Sequence, residues 1–283
     1  MTNIAFLGTG LLGGAFAEAA AKRGDHVTVW NRTIEKARAL EQFGVTVART
    51  PADAVRGIKH VHLVLKDDPV VEEVIAALRP ALDDDAIIID HTTTEPAATA
   101  ERARRLNAAG VRYIHCPVFI GPAAARQAKG TILSAGPRAI FDAIRAELAR
   151  MAERVAYVGE RPDLAAVYKL CGNAFIIGVS ALVADVYAIA TAANVQAANV
   201  LDILDYFNTA ALISGRGRNM VAGNFAPSFE LSMARKDVRL MLDTAAGKRL
   251  AVLPGVAERM DQLIAAGRGA EDLAVIGVES VSA

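Results

Sequence analysis

The chain has 283 residues with 31 basic and 31 acidic side chains, so its formal net charge is zero. That balance excludes a surface built to grip nucleic acid or an anionic membrane, and the only two cysteines, Cys116 and Cys171, have neither metal-ligand spacing nor the pattern of a disulfide framework. The length suffices for a sizeable core and two domains, and the sequence starts in an apolar strand with no basic leader, as expected of a cytoplasmic protein with both thiols buried.

Asn3–Leu7 (NIAFL) predicts a first strand and runs into Gly8-Thr9-Gly10-Leu11-Leu12-Gly13, a G-x-G-x-x-G turn. An Ala-rich helix follows over residues 14–23, Gly24-Asp25 breaks it, and His26–Trp30 (HVTVW) predicts a second strand. Strand, glycine turn, helix and strand on this schedule make a βαβ unit that binds a dinucleotide. Gly8 permits the tight turn, Gly10 lets a pyrophosphate approach the backbone, and Gly13 allows close helix–strand packing. The helix N-terminus offers N–H groups and a positive dipole end to the phosphates.

The end of the second strand distinguishes the dinucleotides. An NAD site places Asp or Glu there to accept from the ribose hydroxyls; this chain has Asn31-Arg32-Thr33. Asn31 does not repel a 2′-phosphate, Arg32 can pair with it and Thr33 can donate to it. The cofactor expected is therefore NADP. The alternative is that Arg32 is a solvated surface residue and Thr33 caps the next helix.

Further along, residues 34–43 predict a helix and 45–48 a short strand; Thr50-Pro51-Ala52-Asp53 opens another helix. Residues 60–65 (HVHLVL) predict a strand whose two histidines, His60 and His62, have no third ligand nearby, so no metal is expected. A helix over 70–78, a strand over 86–90, a helix over Pro96–Ala108 and a strand over 111–116 follow. Strands alternating with helices of this length imply a mostly parallel sheet covered on both faces. Ligands sit beyond the C-terminal strand ends of such sheets, which puts Leu65, Lys66, Thr92 and Thr93, and Pro117, Val118, Phe119, Ile120 and Gly121, at the cleft.

The composition changes near residues 159–163. Residues 164–193 hold no proline and read as one apolar helix buried nearly all round, ~45 Å long. Lys169, Asn173 and Asp185 interrupt its apolar run, so no membrane span is expected. Its length suggests a backbone shared between domains or subunits. Lys169 and Asn173 are four apart and share a face. A lysine in apolar surroundings is costly unless paired or functional, and desolvation lowers its pKa toward the range of proton transfer; the alternative is a snorkelling lysine in the helix's first turns. The remainder reads as helical, with Arg235-Lys236-Asp237 after the loop Asn224-Phe225-Ala226-Pro227-Ser228-Phe229. Alone, that cluster is an ordinary solvated helix start.

Together these stretches resemble the β-hydroxyacid dehydrogenase family, which includes 3-hydroxyisobutyrate dehydrogenases and glyoxylate/succinic semialdehyde reductases. The signatures are the Gly8–Gly13 turn, Asp90-His91-Thr92-Thr93-Thr94-Glu95-Pro96 on a D-x-[ST]-T-x-x-P pattern, Pro117-Val118, Gly130-Thr131, Lys169 with Asn173, and Lys236-Asp237, all in order. The resemblance covers essentially the whole chain. It implies an α/β fold, an N-terminal Rossmann doubly wound parallel sheet (residues 1–162), plus a C-terminal all-helical domain (163–283) joined by a long helix. It implies Lys169 as catalytic acid/base, Asn173 as substrate-positioning, Lys236 as closing over the cofactor, and Phe229 and Asp237 as further substrate residues. The partners implied are a small carbonyl or hydroxyacid and further copies of the chain, as a dimer or tetramer.

Five positions in three stretches depart from the family pattern. Phe119 and Ile120 replace a serine and a glycine that help hold a carboxylate, Asp163 and Ala165 replace glycines before the lysine, and Gly172 replaces the first of two adjacent asparagines. The Val29–Thr33 stretch is also similar to imine reductases, which usually carry Asp or Tyr where this chain has Lys169. The expected activity is NADPH-dependent hydride transfer to a carbonyl, with C=N reduction as the alternative enzyme reading. A non-catalytic dinucleotide-binding scaffold is the alternative of another class, disfavoured by the presence of Lys169.

Overall fold

In a computed structural model that describes residues 2–281, strand and helix alternate as the sequence predicts. The order is β1 (Asn3–Leu7), α1 (Leu11–Lys22), β2 (His26–Trp30), α2 (Ile34–Arg38), β3 (Thr46–Val47), α3 (Pro51–Val55), β4 (His60–Leu63), α4 (Asp68–Leu78), β5 (Ile87–Asp90), α5 (Pro96–Ala108) and β6 (Arg112–His115). These strands pair in parallel in the order β3-β2-β1-β4-β5-β6. That is the doubly wound arrangement, whose ligand crevice opens where the strand order reverses, between β1 and β4. Side chains alternate across the sheet. Phe6, Val29 and Ile89 join a core with Phe16 and Ile144 on one face, while Leu7, Val61 and Ile88 join Val74 and Leu106 on the other. Every residue of β5 is buried, as a strand covered on both faces requires.

Local chemistry starts the helices. Thr50, Asp67 and Glu95 each accept a backbone N–H from the first turn of α3, α4 and α5, with proline at the start of each helix. The helix expected over 34–43 stops at Arg38, and a 3₁₀ turn, Glu41–Phe43, ends on Gly44 at φ 81°. The strand expected over 60–65 ends at Leu63. Residues 118–159 add elements the sequence reading does not anticipate: β7 (Val118–Phe119), α6 (Pro122–Ala125), β8 (Thr131–Ala135), α7 (Arg138–Met151) and β9 (Arg154–Gly159). β8 runs antiparallel to β6 and β7 and parallel to β9.

The predicted long helix is α8 (Leu164–Ala192). The chain divides into two compact units within it, the first ending at Asn173 and the second starting at Ala174. The division falls later than residue 162 because the first turn of α8 packs on the sheet, where Leu164 and Ala165 join Leu133, Ala135 and Val158 in one apolar cluster. Beyond that turn the expectation of burial all round fails. Phe175 is 61% and Ile177 67% exposed in this chain, and Cys171, expected buried, is exposed; Cys116 is buried. The apolar composition predicts burial, but the helix has no covering element of its own unit along most of this face.

By length and composition alone α8 is apolar enough to cross a membrane. Asp185 ties it instead into the second unit. Its buried carboxylate accepts the N–H groups of Ala251, Val252 and Leu253 at 2.6, 2.9 and 2.9 Å, at the start of α11. That unit continues with a 3₁₀ segment (Ala197–Tyr206), α9 (Thr209–Ala222), α10 (Leu231–Thr244) and α11 (Leu253–Ala265). Its core gathers Leu231, Val238, Met260 and Val275. It is all-helical apart from one isolated bridge, Glu230–Asp272.

Candidate active site

The glycine turn sits at the β1–α1 junction, with Gly8 and Gly13 in the roles their spacing predicts. Gly8 has φ 98°, and a Cβ there would overlap the Val64 carbonyl oxygen. A Cβ on Gly13 would overlap the Gly8 carbonyl oxygen, so only glycine lets α1 lie this close to β1. A Cβ on Gly10 would meet nothing within 4 Å: the turn faces open space there. Gly10 caps α1 without a side-chain hydrogen bond and no acidic residue stands in the first turn, so the N–H groups of Leu11, Leu12 and Gly13 face a site suited to anions. Thr9 Oγ1 is buried with no hydrogen-bond partner among the described residues. An open cradle, an uncapped helix start and an orphaned hydroxyl fit a dinucleotide's phosphates.

Two cavities adjoin this turn. The first, about 290 Å³, is bounded by Gly8, Gly10, Asn31, Arg32, Thr33 and Leu65 among others. The second, about 340 Å³, is bounded by Leu11, Leu12, Thr92, Val118, Ile120 and Lys169 among others. Gly10, Leu65 and Lys66 belong to both. One elongated ligand can therefore lie with its phosphates over the turn, one end beside Arg32 and the other beside Lys169.

Asn31 borders the first cavity and also braces it. Its Oδ1 accepts the Thr9 N–H at 3.0 Å and its amide donates to the Thr33 carbonyl at 2.9 Å, tying the end of β2 to the glycine turn. Arg32 and Thr33 are left on the cavity, and Thr33 makes no side-chain cap to α2. Lys36, on α2, lines the same cavity. The sequence reading misses it, because a lysine one turn into an amphipathic helix looks like any solvated residue.

In the second cavity the β5 corner sets the wall. Asp90 is fully buried and accepts the Thr92 N–H at 2.9 Å and the Tyr113 hydroxyl at 2.8 Å. Thr92 Oγ1 in turn accepts the Leu65 N–H at 3.1 Å, holding the loops after β4 and β5 together. His91 also borders this cavity, but its two nitrogens face the Cys116 carbonyl at 2.7 Å and His62 at 2.9 Å, which leaves none for a ligand. Burial, then the neighbouring His62, lowers the His91 pKa to about 3, so the ring is neutral.

Lys169 is half-buried. Its ammonium donates to Asn173 Oδ1 at 2.8 Å, one helical turn on, and desolvation lowers its pKa from the ordinary lysine value. Of the loop read as substrate-binding, Val118 and Ile120 line the cavity with Lys169. Pro117 is buried, Gly121 is exposed and caps α6, and Phe119 turns to the helix, with Lys169 Nζ 4.3 Å from its ring centroid.

The remaining predicted residues belong to the second unit. Lys236 Nζ pairs with Asp237 Oδ1 at 3.0 Å on α10. Phe229 and Asp237 border an apolar cavity of about 390 Å³ between the helices of that unit. The buried Asp272 fixes the Phe229 loop by accepting the N–H groups of Ser228 and Phe229, each at 3.0 Å.

Comparison with known proteins agrees with this arrangement. Residues 3–159 match the family model of the NAD binding domain of 6-phosphogluconate dehydrogenase. Residues 164–278 match that described as NAD-binding of NADP-dependent 3-hydroxyisobutyrate dehydrogenase. The chain belongs to this dehydrogenase family.

As a family member it is an NADP-using oxidoreductase of the dehydrogenase and reductase class. The dehydrogenase is 27% identical over 250 residues to glyoxylate/succinic semialdehyde reductase 1 of Arabidopsis thaliana, covering 85% of this chain and 84% of that protein. It is 28% identical over 248 residues to the cytokine-like nuclear factor N-PAC of Xenopus tropicalis, covering 85% of this chain and 46% of that protein; the match thus spans under half of that relative's length. Among solved structures it is similar to the Streptomyces aurantiacus imine reductase, at 27% identity and TM-score 0.87 over 100% of both chains. That likeness takes in α8, which is therefore part of a shared enzyme fold.

Proposed function

We propose that this dehydrogenase uses NADPH to reduce the carbonyl of a small substrate with a sizeable apolar part, with Lys169 as the acid/base. Residues 1–162 carry the dinucleotide and 163–283 form the helical domain. The observation that carries the reading is Lys169 on the cavity wall that shares Gly10, Leu65 and Lys66 with the nucleotide cleft. A dinucleotide held by the Gly8–Gly13 turn and Arg32 would supply the hydride that the substrate carbon takes up. Lys169 gives one proton to the oxygen as the C=O double bond becomes C–O–H, and is left neutral; in the oxidative direction the neutral amine takes that proton back. Asn173 accepts from the ammonium and so holds it in place. Desolvation lowers the pKa of this lysine from its ordinary value, which eases the release of its proton to the substrate oxygen.

A second reading, reduction of C=N, is favoured by the whole-chain likeness to an imine reductase. There Lys169 would act on nitrogen in place of oxygen.

The chain works as a homo-oligomer in this reading, a dimer or tetramer, because Phe175, Ile176 and Ile177 form an exposed apolar run on α8 that a second copy would cover. Its place is the cytoplasm, where NADPH is available and two unpaired thiols stay reduced.

Substitution Lys169→Met tests the assignment. It should lower turnover by on the order of 10²–10⁴ with NADPH affinity nearly intact. Retained turnover would move the proton to another group, and lost NADPH binding would make Lys169 structural.

A further inference from the structure

We infer that Phe119 is the positioning residue for Lys169, and that Gly172 is the helix position that admits its ring. The inference rests on the reading of Lys169 as proton donor.

Phe119 lies between Val118 and Ile120, which both face the cavity, so alternation along β7 turns its side chain the other way. There it packs on Leu133, Ala135 and Ala165. Its ring lies against the backbone of α8: a Cβ on Gly172 would overlap Cζ and stand 2.6 Å from Cε1. Glycine is otherwise an unfavourable residue in the interior of a helix. Lys169, Gly172 and Asn173 share one helix face at spacings of three and four. The ring thus fills the place where a Gly172 side chain would stand, and the ammonium lies over it at 4.3 Å.

An ammonium has three donors. Asn173 Oδ1 takes one at 2.8 Å, and the ring face covers a second direction by cation–π attraction. The third is left for the cavity bounded by Thr92, Val118 and Ile120. Lys169 therefore offers a single N–H to a single substrate atom. The ring also keeps water from the ammonium, in keeping with the desolvated character of this lysine.

The test is a double-mutant cycle between Phe119 and Gly172, read by kcat, NADPH affinity and the pH profile of kcat. Phe119→Ser should lower kcat roughly 10–100-fold and move the limb due to Lys169 toward the ordinary lysine value, with NADPH affinity unchanged. Gly172→Ala should lower kcat about tenfold by displacing the ring, and should have no further effect in the Phe119→Ser background. NADPH binding and the far-ultraviolet circular dichroism report that each variant is folded. Should Phe119→Ser not fold, Phe119→Leu, which fills the same apolar cluster without a π face, takes its place in the cycle. An unmoved pH limb in the ring-less variant, or a Gly172→Ala effect that is equal in both backgrounds, overturns the inference. If Lys169→Met itself retains turnover, the proposed function fails; if that variant is inactive while the cycle shows no coupling, only the positioning role fails.

Discussion

Arg32 stands exposed at the mouth of the first cavity, with Thr33 beside it and Lys36 on the following helix. Asn31 brings no negative charge beside them, its amide tying the end of β2 to the glycine turn through Thr9 and Thr33. A 2′-phosphate here would meet two cations and a hydroxyl, whereas the end of β2 offers a bare ribose no carboxylate to accept from its hydroxyls, the one carboxylate on this cavity among the described residues being Glu73 of α4. NADPH should therefore bind more tightly than NADH. A charge-assisted hydrogen bond contributes ~1.5–3 kcal/mol, and salt screening of an exposed guanidinium puts the effect at the lower end, roughly tenfold. Arg32→Ala should remove that preference while leaving NADH affinity close to the parent's, and titration of both cofactors measures it. Equal parent affinities would sink the claim. Arg32 was legible in the sequence because its position after β2 is fixed by the glycine turn. Lys36 was not, because only the folded helix shows which face of α2 borders the cleft.

The short β7 strand and its loop decide what shares the second cavity. Val118 and Ile120 present aliphatic walls beside Lys169, and no hydroxyl of this loop takes part. Losing a hydrogen bond to a charged group costs ~1.5–3 kcal/mol, while covering an apolar substituent gains ~0.8 kcal/mol per buried CH₂. The balance favours a ketone, aldehyde or cyclic imine with an apolar part over a small oxoacid. A comparison of kcat/KM for glyoxylate, succinic semialdehyde and an apolar carbonyl of similar size tests this; clear preference for glyoxylate would mean that the loop still holds a carboxylate through its backbone. At this scale the sequence was read unevenly. α5, a long helix with a clear period, was legible, and so was β5 as a short apolar run between helices. The β7–β8 pair was not, because β7 has only two residues and carries no period, and β8 takes its other neighbours, β6 and β9, from elsewhere in the chain. For α8 the apolar composition was legible, but composition does not say whether the covering surface lies in the same chain, so Cys171 was misread as buried.

Across the whole first unit, one buried chain of polar groups joins elements distant in sequence. His60 and His62 on β4 both bond Glu147 on α7, the latter at 2.5 Å; His62 bonds His91 after β5, and His91 bonds the Cys116 carbonyl after β6. In the sequence His60 and His62 showed only the absence of metal spacing, since Glu147 lies 85 residues beyond His62 and no local pattern brings it near. The groups facing His91 are His62, Glu147 and His115, and burial also lowers the His115 pKa. Burial alone would raise the Glu147 carboxyl, yet His62 and His60 override it and hold it below the ordinary carboxylate range. These shifts fix the sign of the pH dependence. With His91 lowered to about 3 when folded and an unfolded value of 6.5, the unfolded chain takes up a proton below pH 6.5 that the folded chain refuses. The stability from keeping His91 neutral is full above pH 6.5 and falls as the pH drops, by at most a tenfold change in the folding equilibrium per unit. Glu147 adds its own loss once the pH passes below the ordinary carboxylate value of 4.5. Urea midpoints at pH 7.5, 6.0 and 5.0 should therefore decline steadily. His91→Gln should start lower at pH 7.5, because a buried hydrogen bond is altered, but should decline less steeply, with His115 keeping part of the slope. A variant that loses stability with the same slope as the parent would show that the acid sensitivity arises elsewhere.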